Sequence, residues 1–80
     1  MQDVYELTPS MKLLLTMHHA SAVNLGSAKN LDELNLIADI PQGDMRGALE
    51  ELVTYGYVIR SEKLYYLSNL GICVVRSVYT

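Results

Sequence analysis

Eighty residues carry nine acidic and six basic side chains, a formal charge of −3, and half of them are hydrophobic. A chain this short holds one core over residues 1–80 and leaves no room for a second domain. It buries only roughly 60% of the surface that its unfolded form exposes. No apolar run reaches the 18 residues that a membrane span needs. Asp3 and Glu6 stand where a secretory leader would be basic. The single cysteine, Cys73, has no partner for an internal disulfide and fits a reducing cytoplasm. Phe and Trp are absent, so six Tyr pack beside Leu, Ile and Val, and a second chain is expected to cover part of this apolar surface. The acidic balance counts against nucleic acid, because neutralising phosphate takes a basic stripe.

Residues 1–7 read as an extended lead-in. Thr8-Pro9 then gives a hydroxyl cap followed by proline at the first helical position, and a helix is predicted from Pro9 to about Ala22. Met11, Leu13, Leu14, Leu15 and Met17 leave it only a narrow polar stripe. Asn24 to Lys29 reads as a loop. Asn30 stands three residues before Glu33, the capping-box spacing, and opens a second helix over about Leu31 to Asp39. Leu34, Ile37 and Ala38 are expected to share its core face and Leu36 to point outward. Ile40-Pro41 ends it.

The third helix is predicted over about 44–55, with Gly43 or Asp44 as its cap. Met45, Ala48, Leu49 and Leu52 make one face apolar. Gly56 closes the helix in a left-handed conformation. Tyr57 to Ile59 and Leu64 to Leu67 are strand formers around a polar turn of about four residues, so 57–67 reads as a hairpin. In the last segment, 68–79, the β-branched residues favour a strand. The Ser68-Asn69 cap favours a helix, and a helix is predicted. Its core stripe is then Leu70, Cys73, Val74 and Val78, with Ile72, Val75 and Tyr79 on the opposite side. The fold class is mainly α with a small β-hairpin, in the order helix, helix, helix, strand, strand, helix.

These pieces resemble the winged helix-turn-helix regulators of bacteria and archaea over nearly the whole chain. Met45-Arg46-Gly47-Ala48-Leu49-Glu50-Glu51-Leu52 is similar to the "VRRALEEL" helix of the gluconate-repressor (GntR) type, and Gly56-Tyr57-Val58 to the "GLV" that follows. Leu64-Tyr65-Tyr66-Leu67-Ser68-Asn69-Leu70-Gly71 is similar to the "RYYLTEKG" of the MarR and PadR kind. Asn30-Leu31-Asp32-Glu33-Leu34 resembles the opening of the first motif helix. The resemblance implies a recognition helix in the major groove of double-stranded DNA and a wing along the backbone or minor groove. It carries Gln42, Asp44, Arg46 and Gly47 to the groove and Arg60 and Lys63 to the wing, with Lys29 nearby. Gly47 replaces the second arginine of the family's pair. Glu50 and Glu51 add charge that phosphate repels unless they face away.

Each of these residues also has a plainer reading. Arg46 is placed to pair with Glu50 one turn on, and Arg60 and Lys63 to keep a strand edge soluble. His18 and His19 point about 100° apart, so they suit a shared metal poorly. No phosphate loop, nucleophile elbow or paired-carboxylate site is present, so no enzyme and no cofactor are expected. Leu13 and Met17 on the first helix, with Ile72, Val75 and Tyr79 on the last, are the expected homodimer interface. The expected function is a small cytoplasmic DNA-binding transcriptional regulator. The alternative is a winged-helix module that binds protein and not nucleic acid.

Overall fold

Thr8 starts the first helix as its sequence predicts. The computed structural model describes the backbone of residues 8–79 and side chains through residue 77; the expected lead-in over 1–7 and the Tyr79 side chain lie outside that range. Helix α1 (Pro9–His19) has Pro9 in its first turn, and the Thr8 Oγ1 accepts from the Met11 N–H at 3.2 Å. It stops short of the predicted Ala22 because Ser21 takes a left-handed φ of 58°. The Ala22 N–H then bonds the Met17 carbonyl and the Ser21 N–H bonds that of His18. This is the paired closure that glycine usually makes.

A single 3-10 turn (Leu25–Ser27) follows, and the expected loop ends in a strand, β1 (Lys29–Asn30). Helix α2 (Leu31–Ile37) opens on the predicted capping box. The Glu33 N–H donates to Asn30 Oδ1 at 2.8 Å, and the Asn30 N–H donates to Glu33 Oε1 at 3.0 Å. The helix ends two residues before Asp39, because Ala38 is already extended at ψ 135° and buried. Leu34 is buried and Leu36 is 85% exposed, as expected. Ile37 is 47% exposed and does not share the core face.

Helix α3 (Gln42–Thr54) begins two residues earlier than predicted. Pro41 is its cap residue and supplies no side-chain bond, so neither Gly43 nor Asp44 caps it. Met45, Ala48, Leu49 and Leu52 are all buried. Gly56 closes the helix at φ 81°, with the Gly56 and Tyr57 N–H groups on the carbonyls of Val53 and Leu52.

Strands β2 (Val58–Ser61) and β3 (Leu64–Leu67) pair antiparallel, as the hairpin reading requires. The turn is two residues long rather than four. Glu62 at φ 58° precedes Lys63, which is not left-handed. Positive φ at the first central residue alone is the sign pattern of a type II′ turn. β1 pairs with β3 as well, giving a three-stranded antiparallel sheet in the order β1-β3-β2. The element order therefore gains one strand over the six predicted elements.

Helix α4 (Asn69–Tyr79) forms despite its β-branched residues. Ser68 caps it, with Oγ accepting from the Gly71 N–H at 3.0 Å. That same hydroxyl donates to the Gly56 carbonyl at 2.5 Å, and the Ser68 N–H bonds the Tyr57 carbonyl at 3.0 Å. The ends of α3, β2 and α4 meet at this point. α4 is rotated relative to its expected faces. Gly71 and Val75 are buried with Ile72 half-buried beside them, while Leu70 and Cys73 are exposed. The cause is Gly71, where a Cβ would stand 2.1 Å from the Tyr57 carbonyl oxygen. Only glycine lets the helix approach the hairpin on that face.

The described residues are thus mixed α/β, with four helices and a small sheet around one core. Leu13, Leu14, Met17, Leu34, Met45, Leu52, Val58 and Leu67 fill that core. α1 packs against α3, α4 and β3.

Candidate nucleic-acid interface

The core face of α3 is occupied by four apolar side chains, which leaves its polar residues on the outside. Gln42, Asp44, Arg46, Gly47, Glu50 and Glu51 are all exposed. They do not act together, because the helix divides them between two sides.

Arg46 and Glu50 open onto a groove of about 760 Å³ between α3 and the sheet. Its floor includes Leu31, Leu49, Val53, Val58 and Tyr65, and Arg60 closes the side formed by β2. The strand register explains why Arg60 is there. Arg60 lies opposite Tyr65, and Tyr65 lies opposite Lys29. Directly opposed residues in antiparallel strands share a sheet face. Lys29, Tyr65 and Arg60 thus form one row across the three strands on the side that carries the groove. The two cations expected on the wing are separated, since Arg60 pairs with Tyr65 while Lys63 lies in the turn.

Among the described residues, no hydrogen bond or ion pair holds the side chain of Arg46, Arg60 or Glu50. The Arg46–Glu50 pair, open to them at one turn's spacing, is not made. Two guanidinium groups from separate elements therefore face one groove together with the Glu50 carboxylate, and none of the three is paired.

Asp44 and Gly47 turn the other way. They line a smaller cleft of about 330 Å³ with Thr8, Pro9, Ser10 and Glu51. Glu51 is committed there, since its carboxylate accepts from the Ser10 hydroxyl. Of the residues expected to face one partner, Arg46 and Arg60 come together on the groove, and Lys29 shares the sheet face of Arg60 without lining that groove. Gln42 and Lys63 are exposed but line neither hollow, and Asp44 and Gly47 stand apart from the arginines.

Compared with protein-family models, curated proteins and solved structures, the chain matches none.

The expected dimer face is also corrected. Leu13 and Met17 are fully buried and Val75 is 2% exposed, so all three already serve this chain's own core. Ile72 packs against that core too. These stripes looked spare because the first helix was read without the sheet and α4 that cover it. Cys73, placed by the sequence in the core stripe of the last helix, is exposed. Among the described residues, no three His, Cys, Asp or Glu side chains gather where an ion could bind, and no helix is long and apolar enough to cross a membrane.

Glu50, expected either as a charge penalty or as the partner of Arg46, instead lines the groove unpaired. The signal that sequence reasoning missed was helical phase, since positions 46 and 50 share a side of α3 that 44, 47 and 51 do not.

Proposed function

We propose that this chain is a small winged-helix protein that binds double-stranded DNA, with α3 in the major groove and the β2–β3 hairpin against the backbone. The observation that carries the reading is the shared groove of Arg46 and Arg60. Arginine presents a rigid fork of donors suited to phosphate and guanine. Here two such forks, from different elements, are exposed and have no acidic partner among the described residues. Lys29 adds a third cation on the same sheet face. The order of helices and strands, with a short antiparallel sheet after α3, suits the same architecture. A cytoplasmic regulator is the role proposed. A dimer through the terminal helices is not part of it, because Leu13, Met17 and Val75 are core residues.

The test is a fluorescence-anisotropy titration with mixed-sequence duplex DNA at two salt concentrations. On mixed-sequence DNA, with Arg46, Arg60 and Lys29 all on phosphate, three contacts at about 0.9 each give a slope of log affinity against log salt of about −2.7. Binding should therefore weaken about 40-fold between roughly 50 and 200 mM salt. No binding at the lower concentration would sink the proposal.

A second reading, a protein-binding module, has its own support. The exposed side of α3 carries three acids, Asp44, Glu50 and Glu51, against one base. Leu36, Tyr55 and Leu70 are each more than half exposed, and apolar surface of that kind marks protein contacts when it is contiguous. Affinity for DNA that ignored salt, or was missing altogether, would favour it.

A further inference from the structure

With Met45, Ala48, Leu49 and Leu52 turned to the core, a step of about 100° per residue leaves Gly43, Arg46, Gly47, Glu50 and Thr54 on the outer half of α3, with Arg46 and Glu50 on its groove-side flank and Gly47 on the other. Gly43 and Gly47 add no side chain, and the space beyond both is open. The long side chains on this half that also reach the groove are Arg46 and Glu50. Glu50 is not used by the fold: among the described residues nothing bonds its carboxylate, and it is exposed.

A carboxylate on the same groove as two arginines weakens any contact with phosphate unless it meets a donor of its own. On the major-groove edge, the donor that suits a carboxylate is the N4 amino group of cytosine. Adenine's N6 donor lies beside the N7 acceptor, which repels it. Arginine on the same flank suits the O6 and N7 acceptors of guanine. Four helical residues rise about 6 Å, against about 3.4 Å for one base step, so the two side chains reach bases within about two steps of each other.

We infer that Glu50 determines specificity, accepting from cytosine N4 while Arg46 donates to a nearby guanine, and that its charge suppresses binding to other sequences. The inference rests on the DNA reading above, and it names which bases that site prefers. It also accounts for an acid on the same groove as the two arginines.

The experiment is selection of bound duplexes from a random pool by the wild-type chain and by Arg46→Ala, Glu50→Ala and Glu50→Gln. The wild-type pool is expected to fix a cytosine and a guanine within two steps. Glu50→Ala should lose the cytosine alone, with discrimination at that base falling roughly 5- to 140-fold, and should bind mixed-sequence DNA more tightly at low salt. Glu50→Gln should shift the preference to adenine, whose N6 and N7 edge pairs with an amide. A Glu50→Ala pool identical to the wild-type pool overturns this inference and leaves DNA binding intact. Absence of wild-type binding at low salt overturns both.

Discussion

Replacing Gly71 with alanine adds one methyl group directly against the Tyr57 carbonyl. Its Cβ would stand 2.1 Å from the Tyr57 carbonyl oxygen and 3.0 Å from the carbonyl carbon. Both are backbone atoms, and the oxygen already accepts from the Ser68 N–H. Relief requires α4 to move by about 1 Å, and such overpacking costs about 1–3 kcal/mol. The movement also pulls Ser68 from the Tyr57 and Gly56 carbonyls, two hydrogen bonds of about 1 kcal/mol each. Alanine returns about 1 kcal/mol of helix propensity. The net loss is about 3 kcal/mol, a large part of the roughly 4–12 kcal/mol available to 80 residues. Gly47→Ala is the matched control. It makes the same chemical change in the middle of α3, where a Cβ meets nothing within 4 Å, and should gain about 1 kcal/mol. Urea unfolding followed by tyrosine fluorescence and circular dichroism would measure both. If Gly71→Ala proved as stable as wild type, the account of how α4 is oriented would be wrong.

Three further outcomes follow from the same geometry. Ser21→Gly and Glu62→Gly each relieve a left-handed residue and should each add about 1 kcal/mol in denaturant titrations; a loss at either position would mean its side chain has an unrecognised role. Arg60→Ala should leave thermal unfolding within about 0.5 kcal/mol of wild type and flatten the salt slope of DNA affinity by about 0.9; an unchanged slope would remove Arg60 from the interface. Leu36→Ser should be close to neutral in the same unfolding assay, because Leu36 is exposed, whereas Leu14→Ala, fully buried, should cost about 2–5 kcal/mol.

Local chemistry was legible in the sequence wherever one residue type satisfies one backbone need. Thr8-Pro9, the Asn30–Glu33 box, Gly56 and Ser68 each mark a boundary that the structure honours. What escaped depends on partners far along the chain. β1 is two residues long and exists because β3 offers them an edge. Ser21 ends α1 without the glycine that would have announced it. The rotation of α4 is set by the closeness of Gly71 to Tyr57, which a count of apolar residues does not register. The expected interface residues Leu13, Met17 and Val75 were misassigned for the same reason, since their burial in this chain's core depends on neighbours far along the sequence. In the candidate site, Arg46 and Arg60 were found through resemblance. Their convergence on one groove, and the presence of Glu50 beside them, required the relative placement of α3 and the sheet.

α2 is held in place lightly. It has seven residues, a single fully buried side chain, Leu34, and a capping box at one end. Its amides should therefore exchange with solvent water well before those of α1 and α3. Because its first residue, Leu31, also forms part of the floor between Arg46 and Arg60, transient unravelling of α2 would widen that channel while the main body stays folded. The arginines would then work beside a yielding wall, able to accommodate partners of slightly different girth.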